Sequence, residues 1–307
     1  PRAVLLDALH VVDGARVQAA VCVVGGGPAG LTVARALAGP QCHVVVLESG
    51  GLEPDGATDD LSRGISTGQA YFPLETTRSR VLGGTTEQWA GECRPLDPAD
   101  LAAHDHVPGS GWPFGFDVLA PYYDRARPLL ELGPLPFDAA DWRALGLDAV
   151  PLADDRLRTA AFHYSAPAHG PPTHMGRRHR AELEAAPHLD VHLGATVVEL
   201  ETNATADRVD AVVVRTRTGG TYRVAARTVV LAAGGIENPR LLLSSDRVER
   251  AGLGNRHDLV GRCFMEHLYL DDAARLRAPR GALGPFYRAS QAVGGDRLRA
   301  VLARSRG

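Results

Sequence analysis

Gly25, Gly27 and Gly30 follow the β-branched run Val21-Cys22-Val23-Val24 and open a stretch, residues 31–37, in which apolar residues return at helical spacing. A glycine turn between a strand and a helix is a device for holding a pyrophosphate. The first glycine permits the tight turn and the second lets the backbone approach the phosphates. The third lets helix and strand pack closely, while Pro28 and Ala29 begin a helix whose amide end faces the anion. Glu48, followed by Ser49, stands eighteen residues beyond the last glycine at the end of a second apolar run, Val44-Val45-Val46-Leu47. An acid at that place accepts hydrogen bonds from an adenosine ribose and repels a 2′-phosphate, so FAD or NAD is the expected occupant and NADP is disfavoured.

These residues need a scaffold, and the pattern around them supplies one. The two apolar runs read as strands buried on both faces of a parallel sheet. Residues 51–190 are rich in Gly, Pro, Asp and His, with short helical patches over 117–131 and 180–186. They read as loops and excursions around a site. Strands are predicted over 191–200, 209–216 and 221–224, with Gly219-Gly220 as a hairpin turn. A further buried run, 228–233, ends in Gly234-Gly235 and leads to a helix from about Pro239. No repeat of solenoid period is present.

Composition bounds the function. The chain has 307 residues, 45% hydrophobic and 22% charged, with a formal net charge of -3. Every basic residue is arginine, and no basic face with interleaved aromatics exists, which argues against nucleic acid. Arg177-Arg178-His179-Arg180 reads as a solvated helix start. No apolar stretch reaches the roughly 18 residues of a membrane helix and no secretory signal is seen, so the chain is expected to be cytoplasmic, with no membrane partner. Cys22, Cys42, Cys93 and Cys263 form no CxxC pair and are read as buried small hydrophobes. His163, His169, His174 and His179 are spaced by six, five and five residues, which places them on no common face, so no metal site is assigned.

A second glycine loop, Gly83-Gly84-Thr85-Thr86, separates FAD from NAD, because the longer flavin nucleotide must also be held along its ribityl chain and ring. Arg80-Val81-Leu82-Gly83-Gly84-Thr85-Thr86 resembles the second signature of the glucose-methanol-choline (GMC) oxidoreductases, flavin enzymes that oxidise alcohols. After Gln88, the continuation Trp89-Ala90-Gly91-Glu92-Cys93-Arg94-Pro95-Leu96, with Gly111-Trp112-Pro113 and Leu119-Ala120-Pro121-Tyr122-Tyr123, is similar to the branch containing pyranose oxidases and bacterial sugar or polyol dehydrogenases. Val197 matches the position whose backbone meets the adenine. Ala233, Gly234 and Glu237, within 232–242, match the second flavin-domain turn and helix, and 260–267 resembles the segment leading into the substrate domain.

The resemblance, over residues 20 to 270, implies an α/β fold: a doubly wound, FAD-binding Rossmann-like domain with an incomplete α+β substrate domain. The expected boundaries are 1–135 and 190–265 for the FAD-binding domain, 136–189 for an irregular excursion or active-site lid, and 266–307 for a truncated start of the substrate domain. The implied reaction is oxidation of a hydroxyl of a sugar, glycoside or other alcohol by hydride transfer to the flavin. Some relatives carry a flavin-linking histidine where this chain has Gln88, so the FAD is expected to be noncovalent. The family's catalytic histidine, paired with a second histidine or an asparagine, belongs to a portion beyond this sequence. No catalytic residue is therefore assigned, and His267 reads as structural. A second polypeptide supplying the C-terminal half is expected, the chain being one part of a split or processed enzyme. The alternatives are a noncatalytic FAD-binding or assembly subunit and a flavin monooxygenase or NAD-linked reductase.

Overall fold

The computed structural model describes residues 4–137, 150, 156–166, 170–266 and 284–304. In chain order these form β1 (Val4–Asp7), β2 (Arg16–Val24), α1 (Pro28–Leu37), β3 (Val44–Leu47), α2 (Gly56–Asp59), β4 (Glu92–Cys93), α3 (Pro98–Leu101), α4 (Phe116–Leu129), β5 (Leu157–Tyr164), α5 (Met175–Ala185), β6 (Leu189–Leu193), β7 (Thr196–Thr202), β8 (Val209–Arg215), β9 (Thr221–Leu231), α6 (Gly234–Ser244), α7 (Pro285–Arg288), β10 (Gln291–Val293) and β11 (Asp296–Arg304). They divide into two units, Pro1–Gln88 with His174–Leu268, and Trp89–Thr173 with Tyr269–Gly307. Among the described residues no helix is long and apolar enough to cross a membrane.

The first unit is built on a seven-stranded sheet in the order β1-β6-β3-β2-β9-β8-β7. β1, β6, β3, β2 and β9 run parallel, whereas β8 is antiparallel to both β9 and β7. Val44–Leu47 is wholly buried because β3 has a strand on either side and α1 across one face. Cys22, Val24, Val45, Leu47, Val212, Val214, Tyr222 and Leu241 form its core. Each large aliphatic buried there contributes roughly 1.5–3 kcal/mol. The sheet thus carries β2, β3 and β9 in register, and the turns that follow them meet at one end.

β9 is bonded unequally along its length. Thr221 to Val224 pair with β8, and Arg223 to Leu231 pair with β2. Among the described residues, 225–231 have a strand on one side only. Arg227 and Thr228 are exposed there, while Val21–Val24, which pair with Thr228–Leu231 from the doubly flanked β2, are buried.

Three expectations are corrected. The strand predicted over 191–200 is two strands, because Gly194 at φ +66° turns the chain between β6 and β7. Segments 221–224 and 228–233 are one strand, β9. The helix expected from Pro239 begins at Gly234, since Asn238 accepts the Ala233 N–H at 2.9 Å and donates to the Leu231 carbonyl at 3.3 Å, pinning the first turn to the strand end.

The second unit holds an antiparallel sheet in the order β10-β11-β5-β4, packed through Ala161, Leu298 and Ala300. The unit boundaries differ from the expected domain boundaries for a physical reason. β5 pairs with both β4 and β11, so segments before and after it are drawn into one sheet. α5 instead belongs to the first unit, where the guanidinium of Arg35 on α1 grips the carboxylate of Glu182 at 2.7 Å.

Candidate functional site

At the carboxyl ends of β2, β3 and β9 lies a cleft of about 500 Å³, lined by Gly25, Gly27, Pro28, Ala29, Glu48, Ser49, Arg80, Gly84, Thr85, Val197, Ala233, Gly234 and Glu237 among others. All of these were expected site residues. Gly25 takes φ +104°, and a Cβ on it would stand 2.6 Å from the Ala232 carbonyl oxygen. A Cβ on Gly30 would fall 2.0 Å from the Gly25 oxygen, so Gly30 lies behind the turn, where α1 meets β2. Gly27 is different. Its Cβ would meet only the Gly84 Cα, at 3.9 Å, and no side chain caps the helix that begins after it. That leaves clearance beside a helix end whose first amides have no partner within the helix, the arrangement a diphosphate needs.

The second glycine loop closes on the first. The Gly83 N–H donates to the Gly26 carbonyl at 2.8 Å, and a Cβ on Gly84, whose φ is +57°, would stand 2.9 Å from the Gly27 Cα. Thr86 is buried and supports this loop rather than facing the cleft. Its hydroxyl donates to the Gly83 carbonyl at 2.7 Å and accepts the Met175 N–H at 3.2 Å. Gln88 is the exposed end of the same turn. Trp89, Ala90 and Gly91 belong to the second unit, in which the Trp89 indole donates to the Thr173 carbonyl and the Gly91 carbonyl accepts from Ser165.

Glu48 is buried, and its two oxygens accept the N–H groups of Gly26 and Gly50, each at 2.7 Å. Burial pushes its carboxyl above the ordinary range, against the opposing pull of those amides, Arg80 and Ser49. Sequence reasoning missed Arg78, Ser79, Asn238 and Arg240 in the cleft wall. Glu237 is paired with Arg78 at 2.8 Å, Arg80 at 3.1 Å and Arg240 at 2.7 Å. Burial opposes its charge, but the Arg240 hydrogen bond and the fields of Arg80, Arg240 and Arg78 outweigh it and hold the carboxyl below its usual range. A larger cavity of about 930 Å³ shares Ser49 but is walled by Leu5, Leu52, Leu193 and the α2 region, and Gly25, Gly27 and Gly84 do not line it.

The histidines are dispersed. His163 is buried in β5 of the second unit, and desolvation pushes its imidazole down to about 4. His174 precedes α5 in the first unit, 3.3 Å from Glu87, and His179 lies on that helix, buried 3.2 Å from Glu182, which corrects the expectation of a wholly solvated basic run. His169 and His267 lie outside the described residues. No group of three or more His, Cys, Asp or Glu among the described residues is placed to hold a metal. Only Cys22 of the cysteines is buried, its thiol pushed up to about 12 by desolvation. Cys42 and Cys93 are half-buried and Cys263 is exposed on a turn, correcting the uniform expectation.

A parallel sheet ending in two glycine loops that touch, beside a buried acid at the next strand end, defines a dinucleotide-binding flavoprotein domain, and the cleft has the volume of a small-molecule site. The model of the family described as FAD dependent oxidoreductase matches residues 20–251, and the chain belongs to that family, with FAD as its cofactor. It is 26% identical to 2-methyl-1,2-propanediol dehydrogenase of Mycolicibacterium austroafricanum, over 67% of this chain and 45% of that protein. It is 29% identical to paromamine 6′-oxidase of Streptomyces fradiae, over 87% and 58%, and 28% identical to the fructose dehydrogenase large subunit of Gluconobacter japonicus, over 61% and 41%. The chain therefore spans about half the length of the curated relatives it matches. Pyridoxine 4-oxidase from Mesorbium loti shares its fold, with a TM-score of 0.51, 21% identity, and coverage of 74% of this chain and 52% of that one.

Proposed function

We propose that this chain is the cofactor-holding portion of a GMC-type enzyme that oxidises a hydroxyl of a sugar, glycoside or other alcohol to a carbonyl. The observation that carries this reading is the contact of two glycine loops, Gly27 against Gly84, at the mouth of one cleft. A second loop along the cleft suits the elongated FAD better than a nucleotide held by a single turn. The substrate class follows from the relatives, which are named for a propanediol, for paromamine and for fructose.

FAD held in this cleft would supply the hydride acceptor for oxidation of the carbon that bears the hydroxyl. This chain's residues hold and orient. The turn at Gly27 and the open end of α1 would receive the diphosphate, Glu48 would serve the ribose, and Val197 and Gly234 would line the rest of the nucleotide's cleft. Gln88 provides no imidazole for a covalent link, so the cofactor is held noncovalently. The base that takes the hydroxyl proton is proposed to come from polypeptide corresponding to the half of the relatives that this chain does not span. The one-sided bonding of β9 supports a partner segment, and one relative is itself named as a subunit.

The test is anaerobic titration of FAD-loaded protein, alone and with a co-expressed partner segment, using sugars and diols, with NADPH as control. Bleaching by an alcohol supports the reading. Bleaching by NADPH alone indicates a reductase or monooxygenase, and tight FAD with no bleaching by any donor indicates a noncatalytic subunit. Flavin that stays with acid-precipitated protein would refute noncovalent binding.

A further inference from the structure

Arg78, Arg80 and Arg240 share a single carboxylate, Glu237, in the wall of the cleft. Of the three, Arg78 is the one with a buried side-chain nitrogen that lacks an acceptor among the described residues. One terminal nitrogen donates to Glu237 at 2.8 Å and to the Ser62 carbonyl at 3.1 Å, and the other donates to the Leu74 carbonyl at 3.2 Å. Its Nε is buried and has no acceptor among the described residues. Leaving a buried charged donor unpaired is costly, so such an atom in a cleft wall points to an acceptor on the ligand.

The path of the second loop shows which part of the ligand that is. Gly84 lies against Gly27, Leu82 beside Gly26, and the Arg80 carbonyl against Gly50. Moving back from Gly84 toward Arg78 therefore leads away from the diphosphate turn and toward Glu48 and Ser49. Arg80 donates to the Ser49 hydroxyl at 3.1 Å, which ties the arginine cluster to the strand end that faces a ribose. We propose that Arg78 is a cofactor-contacting residue that donates its Nε–H to the adenosine half of bound FAD, and that Glu237 is a positioning residue holding Arg78 and Arg80 for that contact. The inference rests on FAD occupying the cleft and is independent of the substrate.

The experiment compares the dissociation constants of FAD and of AMP, by calorimetry, for wild type, Arg78→Lys and Glu237→Gln. Lysine keeps the charge but lacks the planar fork and its Nε–H. The expected result is that Arg78→Lys weakens FAD and AMP by the same factor, roughly tenfold or more. Glu237→Gln is expected to weaken both in parallel. Loss of FAD affinity with AMP unchanged, or no change in either, overturns the assignment. Where Arg78→Lys lowers the melting temperature of the ligand-free protein, Arg78→Gln is read the same way. Wild type that binds neither ligand refutes the cofactor assignment itself, whereas wild-type binding with unaffected Arg78 variants refutes only this contact.

Discussion

The carboxylate of Glu48 accepts the backbone N–H of Gly26 at 2.7 Å, so the residue that ends one strand sets the shape of the turn that ends its neighbour. The same side chain takes the Gly50 N–H through its other oxygen. Glu48→Gln replaces one acceptor with an NH₂ group and leaves one of these buried amides facing a donor. Retention of FAD is expected to fall roughly tenfold or more, with the circular dichroism spectrum unchanged. Equal retention by the variant would show that the turn does not depend on this carboxylate.

The fingerprint glycines are predicted to fail in two ways. Gly30→Ala puts a Cβ 2.0 Å from the Gly25 oxygen and Gly25→Ala puts one 2.6 Å from the Ala232 oxygen, so both variants are expected to lose several degrees in melting temperature without any ligand. Gly27→Ala meets nothing closer than 3.9 Å, so it should melt like wild type yet bind no FAD, because the added methyl occupies the diphosphate approach. A thermal melt paired with flavin fluorescence separates the two classes.

Gly84→Ala tests the join between the loops. The substitution combines φ +57° with a Cβ 2.9 Å from the Gly27 Cα. Loss of cofactor is expected together with faster proteolysis within residues 81–88, and unchanged affinity would mean that the loops need not touch.

Acidity should act on the cleft through Glu237. Its folded carboxyl lies below the ordinary 4.5, so the stability it contributes is complete above that value and is lost as the pH falls through the folded pKa. Urea titrations of wild type and Glu237→Gln are expected to differ most above pH 4.5 and to converge in stronger acid. A constant difference across that range would remove the ion cluster from the account.

His163 gives the second unit the same slope over a higher window. Its imidazole is held at about 4, below the ordinary 6.5, so the folded form resists protonation, and stability is lost as the pH drops from 6.5 toward 4. Protection of the β5 amides against deuterium exchange, relative to their intrinsic rate at each pH, should fall over that range in wild type and fall less in His163→Phe, which keeps an aromatic against Phe137.

The parts of this fold legible in the sequence were those whose reason is local. Val21–Val24 and Val44–Leu47 announce doubly buried strands by composition, and the glycines between β2 and α1 have positional reasons that do not depend on distant residues. β1 was invisible because Val4–Asp7 is four residues long and its partner among the described residues, β6, lies far along the chain. β5 was hidden similarly, since its register comes from Glu92–Cys93 on one side and Leu298–Arg304 on the other. The cleft was half legible. Glu48 and Gly84 sit in recognisable patterns, but Arg78 and Arg240 acquire meaning only when folding brings them onto Glu237. Gly194 broke a predicted strand because alternation of apolar residues carries no information about a positive φ.

A strand that spends its donors and acceptors on one flank alone is an adhesive seam, and among the described residues the carboxyl-terminal half of β9 is such a seam beside the cofactor cleft. Stocks of this chain kept by itself are expected to lengthen into oligomers with storage, Arg227 slowing the process by its charge. A strand-bearing companion supplied during synthesis should keep the material dispersed, which makes recovery on co-expression a practical gauge of what that flank receives.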